Sequence, residues 1–103
     1  MDYSALDPIL EAWARRHGLF VSKSYKGDDV RSVLIVDDAG GEYQLWLTIP
    51  DPKGQLTVTV PKAMLARADF ETRIEDLSAA LEEAYRRVET WISAAGHTRT
   101  PVL

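Results

Sequence analysis

The stretch GEYQLWLTIP, residues 41–50, alternates apolar and polar side chains in the manner of a half-buried β-strand. Its apolar set is Tyr43, Leu45, Leu47 and Ile49. Trp46 belongs to the other set, so the alternation places it on the face that should meet water. Large apolar side chains gathered on such a face often mark interaction sites, which makes Trp46 the main indication of a binding surface.

Length and composition predict one folded domain. At 103 residues the chain is below the size at which domains usually split, and its apolar share of 46% and charged share of 27% are typical of globular proteins. The absence of cysteine excludes disulfides and thiolate chemistry. We assign residues 1–96 to a single α+β domain and residues 97–103, HTRTPVL, to a flexible C-terminal tail.

The N-terminus and the charge balance argue against two classes of partner. The segment MDYSALDPIL lacks the basic region and apolar stretch of a targeting peptide, and no run approaches the roughly 18 apolar residues of a membrane span. We therefore expect a cytoplasmic protein without a membrane partner. A net charge of −4 with scattered basic residues argues against nucleic-acid binding, which requires a basic footprint.

The first periodic segment predicts a short amphipathic helix over residues 7–17. Asp7 is suited to cap the free amides and Pro8 to occupy the first helical position. Apolar residues then recur at helical spacing up to Trp13, and Gly18 follows a basic last turn.

Four strand candidates follow, separated by turn signals. They cover residues 19–25, 30–37, 42–49 and 55–60. Short connections between neighbouring strands predict antiparallel hairpins, and therefore a meander in the order 1-2-3-4.

The C-terminal third predicts a long helix. The segment KAMLARADFE, residues 62–71, is ambiguous and is compatible with a helical turn or two. Thr72 and Glu75 have the spacing of a capping box, and we expect the helix to cover residues 73–95 and to end at Gly96. Glu82 and Arg86 are four residues apart on the side predicted to face solvent.

The predicted fold is α-β-β-β-β-α: a four-stranded antiparallel meander with an N-terminal and a long C-terminal helix packed on one face. At the level of architecture alone it resembles small bacterial chaperones and immunity proteins, although fold does not imply function.

Turn lengths predict the strand register and therefore the composition of the two faces. They place Val33 opposite Trp46 and Phe20 opposite Ile35, and in the third hairpin they place Trp46 opposite Thr59. Leu34 and Val36 then face the helices. The predicted partner-binding surface on the open face is Phe20, Val33, Ile35 and Trp46. Two alternatives remain open: simple cross-strand packing, or a β-bulge that turns Trp46 inward.

Motifs for catalysis, cofactors or metals are absent from the sequence. His17 and His97 have neither metal-ligand spacing nor a serine–aspartate arrangement nearby, and the aspartates fall in turns where they cap their own backbone. We therefore predict no catalytic, cofactor-binding or metal residues.

The leading interpretation is a non-enzymatic interaction module that binds a protein partner or a second copy of itself. The alternative is a small-ligand binder or minor enzyme with a pocket between sheet and helices, in which Tyr43 or Tyr85 provides the polar handle. An RNA-binding sheet face would require an affinity that falls steeply with salt.

Overall fold

The computed structural model describes residues 2–62 and 66–100. Its helices are α1, Asp7–Arg16, and α2, Leu77–Ala94, which follows a 3₁₀ turn at Ile74–Asp76. Its strands are β1, Phe20–Tyr25; β2, Asp28–Asp37; β3, Glu42–Leu47; β4, Gln55–Lys62; β5, Ala66–Arg73; and β6, Arg99–Thr100.

The sheet is an antiparallel meander in the order β1-β2-β3-β4-β5. The predicted α+β class and the order of the first four strands are confirmed, but the main sheet has a fifth strand. The short β6 pairs with the end of β2, at Val36 and Asp37. These two residues lie beyond Leu34, which pairs with Phe20, the first residue of β1. Within residues 2–62 and 66–100, no helix is long and apolar enough to cross a membrane.

The fifth strand replaces the expected helical turns. β5 pairs with β4 over eight residue pairs, from Gln55 with Arg73 to Lys62 with Ala66. Ala68 and Phe70 thereby lie beside the core residues Val60 and Val58, and this packing overrides the helix-forming composition of the segment. Residues 63–65 of the ambiguous stretch lie outside the described residues.

The predicted capping box was wrong for the same reason. Thr72 belongs to β5, and its hydroxyl donates to the carbonyl of Arg73 at 3.1 Å. The Glu75 carboxylate accepts from Arg73 Nε at 3.1 Å. The helix therefore begins four residues later than predicted, at Leu77, whereas its end before Gly96, which has φ of +79°, agrees with the prediction.

Both helices bury their apolar stripes against one side of the sheet. The core contains buried residues from both helices and from the sheet. The first helix and the residue before it contribute Leu6, Leu10 and Trp13, and α2 contributes Leu77, Leu81, Val88 and Ile92. The sheet contributes Val33, Ile35, Leu45, Val58 and Val60. α1 begins at Asp7 with proline in its first turn, as predicted. The Asp7 carboxylate, however, binds the Arg31 guanidinium instead of capping the helix.

The β2–β3 register differs by one residue from the predicted one. The Asp37 carboxylate accepts hydrogen bonds from the amides of Ala39 (2.9 Å) and Gly41 (2.7 Å), and the Asp37 amide donates to the Gly41 carbonyl (2.9 Å). This loop closes so that Val36 pairs with Glu42. A slip of one residue exchanges the faces of a strand, so Val33 and Ile35 are fully buried under the helices while Leu34 points outward.

The predicted β3–β4 register agrees with the structure, whereas the predicted β1–β2 register differs from it by one residue. Trp46 lies opposite Thr59, as predicted. Phe20 lies opposite Leu34, where the prediction had Ile35. The β1–β2 register then shifts between Ser22 and Ser24, which marks a β-bulge, and the hairpin closes through Lys26 and Gly27, both with positive φ (51° and 87°).

The segment from His97 to Thr100, which we expected to be part of a loose tail, packs against the end of β2. The amide of Asp38 donates to the Thr98 carbonyl at 2.8 Å, and His97 Nδ1 lies 3.0 Å from the Asp38 carboxylate. Arg99 and Thr100 form β6. Residues 101–103 lie outside the described residues.

Candidate functional site

The helices leave one side of the sheet uncovered, and we call this side the open face. Its outward residues follow from the observed registers and, for Tyr25, from the contact of its ring with Trp46. On β1 to β3 they include Phe20, Ser22, Tyr25, Ser32, Leu34, Val36, Glu42, Gln44 and Trp46. On β4 and β5 they include Thr57, Thr59, Arg67, Asp69, Glu71 and Arg73. One end of the open face is therefore aromatic and the other is polar and charged.

Four large apolar side chains form the aromatic patch, which consists of Phe20, Tyr25, Leu34 and Trp46. Phe20 is 53% exposed and Tyr25 52% exposed, whereas Leu34 and Trp46 are half-buried. The rings of Tyr25 and Trp46 meet edge to face, with centroids 5.8 Å apart and planes at 84°. This is a favourable arrangement for two aromatic quadrupoles.

Tyr25, the last residue of β1, also belongs to this patch. Strict alternation from Phe20 would place Tyr25 on the opposite side of the strand. The β1–β2 ladder is irregular just before Tyr25: two residues of β2, Val30 and Arg31, lie between the paired Asp29 and Ser32, whereas only Lys23 lies between Ser22 and Ser24 of β1. The extra residue therefore belongs to β2, and the Tyr25 ring at the end of β1 lies against Trp46. Lys26 Nζ lies 5.2 Å from the centre of the Tyr25 ring and adds a cation–π contact at the rim.

The patch encloses a depression of about 210 Å³. Its lining consists of the four patch residues together with Ser22, Ser32, Glu42 and Gln44. An apolar centre with a polar rim is the usual composition of a protein–protein contact.

Two of the four sequence-predicted site residues belong to this patch. Phe20 and Trp46 lie on the open face as expected. Val33 and Ile35 do not, because the one-residue register change places both in the core with no exposed surface. Sequence reasoning missed Leu34 and Tyr25. The only sequence signals for them were Asp37, whose side chain sets the β2–β3 loop, and the Lys26-Gly27 pair, which is suited to a two-residue hairpin turn.

The polar end of the open face is organised around Asp69. Its carboxylate accepts from Thr59 Oγ1 at 2.8 Å and from Arg67 Nε at 3.0 Å. The hydrogen bond from Thr59, followed by that from Arg67, lowers the pKa of Asp69 below its ordinary value. This end of the face therefore carries fixed charges of both signs.

A polar cleft of about 490 Å³ lies at the same end of the sheet, between β3, β4 and β5. Two of its three charged side chains, Asp51 and Arg73, already have partners within the chain. The Asp51 carboxylate accepts from the amides of Lys53 and Gln55, both at 2.9 Å, and Arg73 binds Glu75. The cleft includes neither Tyr43 nor Tyr85.

A further cluster of titratable side chains joins the two helices. Glu82 of α2 contacts the imidazole of His17 and accepts from Trp13 Nε1 at 2.8 Å. The His17 ring also lies 4.5 Å from the Tyr85 ring, centroid to centroid. In the part of the chain that the structure describes, no group of three or more His, Cys, Asp or Glu side chains could hold a metal ion.

A comparison with protein-family models, curated proteins and solved structures finds no match for this chain. The geometry and chemistry of the open face are therefore the basis for inferring a function.

Proposed function

We propose that this protein is a non-enzymatic interaction module that binds a partner protein through the aromatic patch. The observation that carries this proposal is the clustering of Phe20, Tyr25, Leu34 and Trp46 on the side of the sheet that the helices leave open. Tyr, Trp and Phe are enriched in the buried centres of interfaces, where they supply large contact areas.

The size of the depression favours a protein side chain over a free small molecule. Pockets for small ligands usually have volumes of about 300–1,000 Å³, and the depression has about 210 Å³. One apolar side chain of a partner fits this space. Ser22, Ser32 and Glu42 also line the depression and add polar groups beside its apolar side chains.

The small-ligand alternative has less support. Tyr85 is 6% exposed, and its ring packs against His17 and Trp13, with centroid distances of 4.5 Å and 5.9 Å. Its ring is thus part of the packed junction between the helices. Tyr43 packs against the core from a half-buried position.

The charges of the open face argue against RNA. A stacking surface for single-stranded RNA combines aromatic rings with a basic groove that follows the phosphates. Here Arg67 and Arg73 stand beside Asp69 and Glu71, and Glu42 lies at the rim of the aromatic patch. The acidic groups oppose the phosphate backbone.

The experiment compares partner capture by three forms of the immobilised protein: wild type, Trp46→Ser and Ile49→Ser. Ile49 is a matched control because it is an exposed apolar residue, 43% accessible, outside the patch. We expect a specific partner that the wild type and the Ile49 variant retain and the Trp46 variant loses. If every captured protein binds the Trp46 variant equally, while circular dichroism shows that this variant is folded, the aromatic patch is not the binding site.

A further inference from the structure

The free edge of β1 offers backbone groups that can bind an extended segment of a partner. β1 pairs with β2 on one side, and no other strand of the described residues pairs with its opposite side. Partners that add a strand to such an edge obtain affinity from main-chain hydrogen bonds. They obtain specificity from pockets that take alternate side chains.

Hydrogen bonds at the end of β2 show in which direction its backbone groups point. The Asp37 amide donates to the Gly41 carbonyl, on the side of β3. The Asp38 amide donates to the Thr98 carbonyl, on the side of β6. This direction alternates along an antiparallel strand, so the odd-numbered residues of β2 bond toward β3 and the even-numbered ones bond toward β6 and β1.

This alternation identifies the residue of β1 whose backbone points outward. The even-numbered residues Leu34 and Ser32 pair with Phe20 and Ser22, which therefore bond to β2. Val21 lies between them and has the opposite orientation. Its amide and its carbonyl point away from β2, toward the free edge.

Depressions flank this edge on both faces of the sheet. The one on the open face is the depression of the aromatic patch, and it includes Phe20 and Ser22. The other, of about 260 Å³, lies on the helix side between α1 and β1 and is lined by Glu11, Ala14, Arg15, Leu19, Phe20 and Val21. We call it the α1–β1 groove. Phe20 lines both depressions, so the edge of β1 is continuous with the aromatic patch.

The α1–β1 groove has one charged side chain that is free to bind a partner. Glu11 is paired with Lys23. The guanidinium of Arg15 is exposed and has no hydrogen bond or ion pair with the residues that the structure describes. Because the Ala14 carbonyl accepts from the Leu19 amide at 2.9 Å, the adjacent Arg15 lies at the Leu19 end of the groove. An acidic side chain of a partner is complementary to this end.

We propose that an extended segment of the partner adds to β1 as an antiparallel strand, with two successive apolar residues opposite Val21 and Phe20 and an acidic residue opposite Leu19. Side chains of the added strand alternate between the two faces. The first apolar side chain enters the α1–β1 groove, the second lies beside Phe20 on the open face, and the acidic one reaches Arg15. This inference rests on the proposed function, because the partner is the one that binds the aromatic patch.

The test uses a displayed library of random peptides, selected on the immobilised full chain. We expect the selected peptides to share two successive apolar residues followed by an acidic one. Arg15→Glu should weaken their binding at least about threefold, because it replaces an ion pair by a repulsion. Arg16→Glu is the matched control, since Arg16 is the adjacent exposed arginine outside the α1–β1 groove, and it should bind the peptides like the wild type.

Methylation of peptide nitrogens separates strand addition from the docking of side chains. The first apolar residue exchanges two main-chain hydrogen bonds with Val21. A methyl group on its nitrogen removes the donor and should weaken binding at least about tenfold. A methyl group on the nitrogen of the second apolar residue, which points away from β1, should change the affinity by less than about twofold. Both changes are made in the peptide, so the fold of the protein is unaffected.

The results distinguish failure of this inference from failure of the proposed function. Selected peptides that tolerate both methylations but lose binding to Trp46→Ser would overturn strand addition and leave the aromatic patch as the binding site. Peptides that show the expected methylation pattern and bind Trp46→Ser normally would support strand addition and exclude a role for Trp46.

Two further results would overturn the stated partner. One is a selection that yields no binding peptide, or only peptides that bind Arg15→Glu and the wild type equally. The other is a wild-type dimer in sedimentation equilibrium that excludes the selected peptides, because the strand added to β1 would then come from a second copy of this chain.

Discussion

The indole nitrogen of Trp13 donates a 2.8 Å hydrogen bond to the carboxylate of Glu82. Trp13 is completely buried, and the same carboxylate oxygen contacts the imidazole of His17. One side chain of α2 thereby satisfies two groups of α1. The sequence pattern assigned Glu82 to the solvent-facing side with Arg86, and the structure corrects this assignment: Glu82 is half-buried between the helices.

Replacement of Glu82 by alanine should destabilise the protein by about 1–3 kcal/mol, because a buried indole N–H that loses its acceptor is left unsatisfied. Chemical denaturation of the variant and the wild type measures this difference. Glu83→Ala is the matched control, since Glu83 is the adjacent, exposed glutamate, and it should change the free energy of unfolding by no more than about 0.5 kcal/mol. Equal effects of the two substitutions would show that the contact with Trp13 contributes nothing.

The pH dependence of stability should also report on Glu82. Burial by itself would raise the pKa of Glu82, but the hydrogen bonds from His17 and Trp13 outweigh it, and the pKa lies below its ordinary value of 4.5. A lowered folded-state pKa adds stability above the unfolded pKa, and this contribution is lost as the pH falls through the folded pKa. The free-energy difference between wild type and Glu82→Gln should therefore be largest near neutral pH.

This difference should shrink as the pH falls below about 4, the range in which glutamate is protonated. Its size is limited by solvent screening, because the Glu82 side chain is 37% exposed. Urea unfolding of both proteins at several pH values provides the measurement. A difference that grows on acidification would contradict the assigned direction of the pKa shift.

Arg31 is the second polar group whose position only the folded chain explains. It is 8% exposed, binds Asp7 through Nε (2.7 Å) and Nη2 (3.1 Å), and stacks over Tyr3 at 4.3 Å from the ring centre. The hydrogen bond to Asp7 raises the pKa of Arg31 above its ordinary value. A lysine cannot reproduce this two-pronged geometry or the stacking.

Arg31→Lys should therefore lower the free energy of unfolding by about 1–3 kcal/mol. Arg67→Lys serves as the control for stability of the folded monomer, because Arg67 is 67% exposed and its ion pair with Asp69 is solvated. Thermal unfolding of both variants at low protein concentration compares them. Similar melting temperatures for the two would show that the Arg31 contacts are no more important than a surface ion pair.

Neighbouring residues of β2 test the corrected register. Ile35 is fully buried, so Ile35→Ala should cost about 2–5 kcal/mol of stability. Leu34 points to the open face, and Leu34→Ala should cost no more than about 1 kcal/mol while weakening the capture of a partner. Denaturant titration together with the capture assay separates the two effects. If Leu34→Ala destabilised the protein more than Ile35→Ala, Leu34 would lie in the core and Ile35 on the open face, as the sequence predicted.

Local patterns in the sequence predicted much of the fold. Helical spacing of apolar residues located α1 and most of α2, and Gly18 and Gly96 ended them where positive φ is required (65° and 79°). Alternation located β1 to β4 and placed Trp46 outside the core. These features depend on interactions between residues close in the chain, so a local pattern is sufficient to predict them.

Two of the errors have the same origin, which is the dependence of a residue on partners distant in the chain. β5 has a helix-compatible composition and becomes a strand because β4 offers a complementary edge. Glu82 turns inward because Trp13, 69 residues away in the chain, requires an acceptor. Neither partner can be read from the segment itself.

By itself the sequence determined the helices, the strand order of the first hairpins and the exclusion of Trp46 from the core. Only the tertiary structure decided which residues accompany Trp46. The Asp37 side chain closes the β2–β3 loop one residue differently from the predicted turn, and the Tyr25 ring at the end of β1 packs against Trp46. Because side chains alternate along a strand, this one-residue change of register replaces Val33 and Ile35 by Leu34 in the aromatic patch, and Tyr25 joins it through a contact between residues distant in the chain.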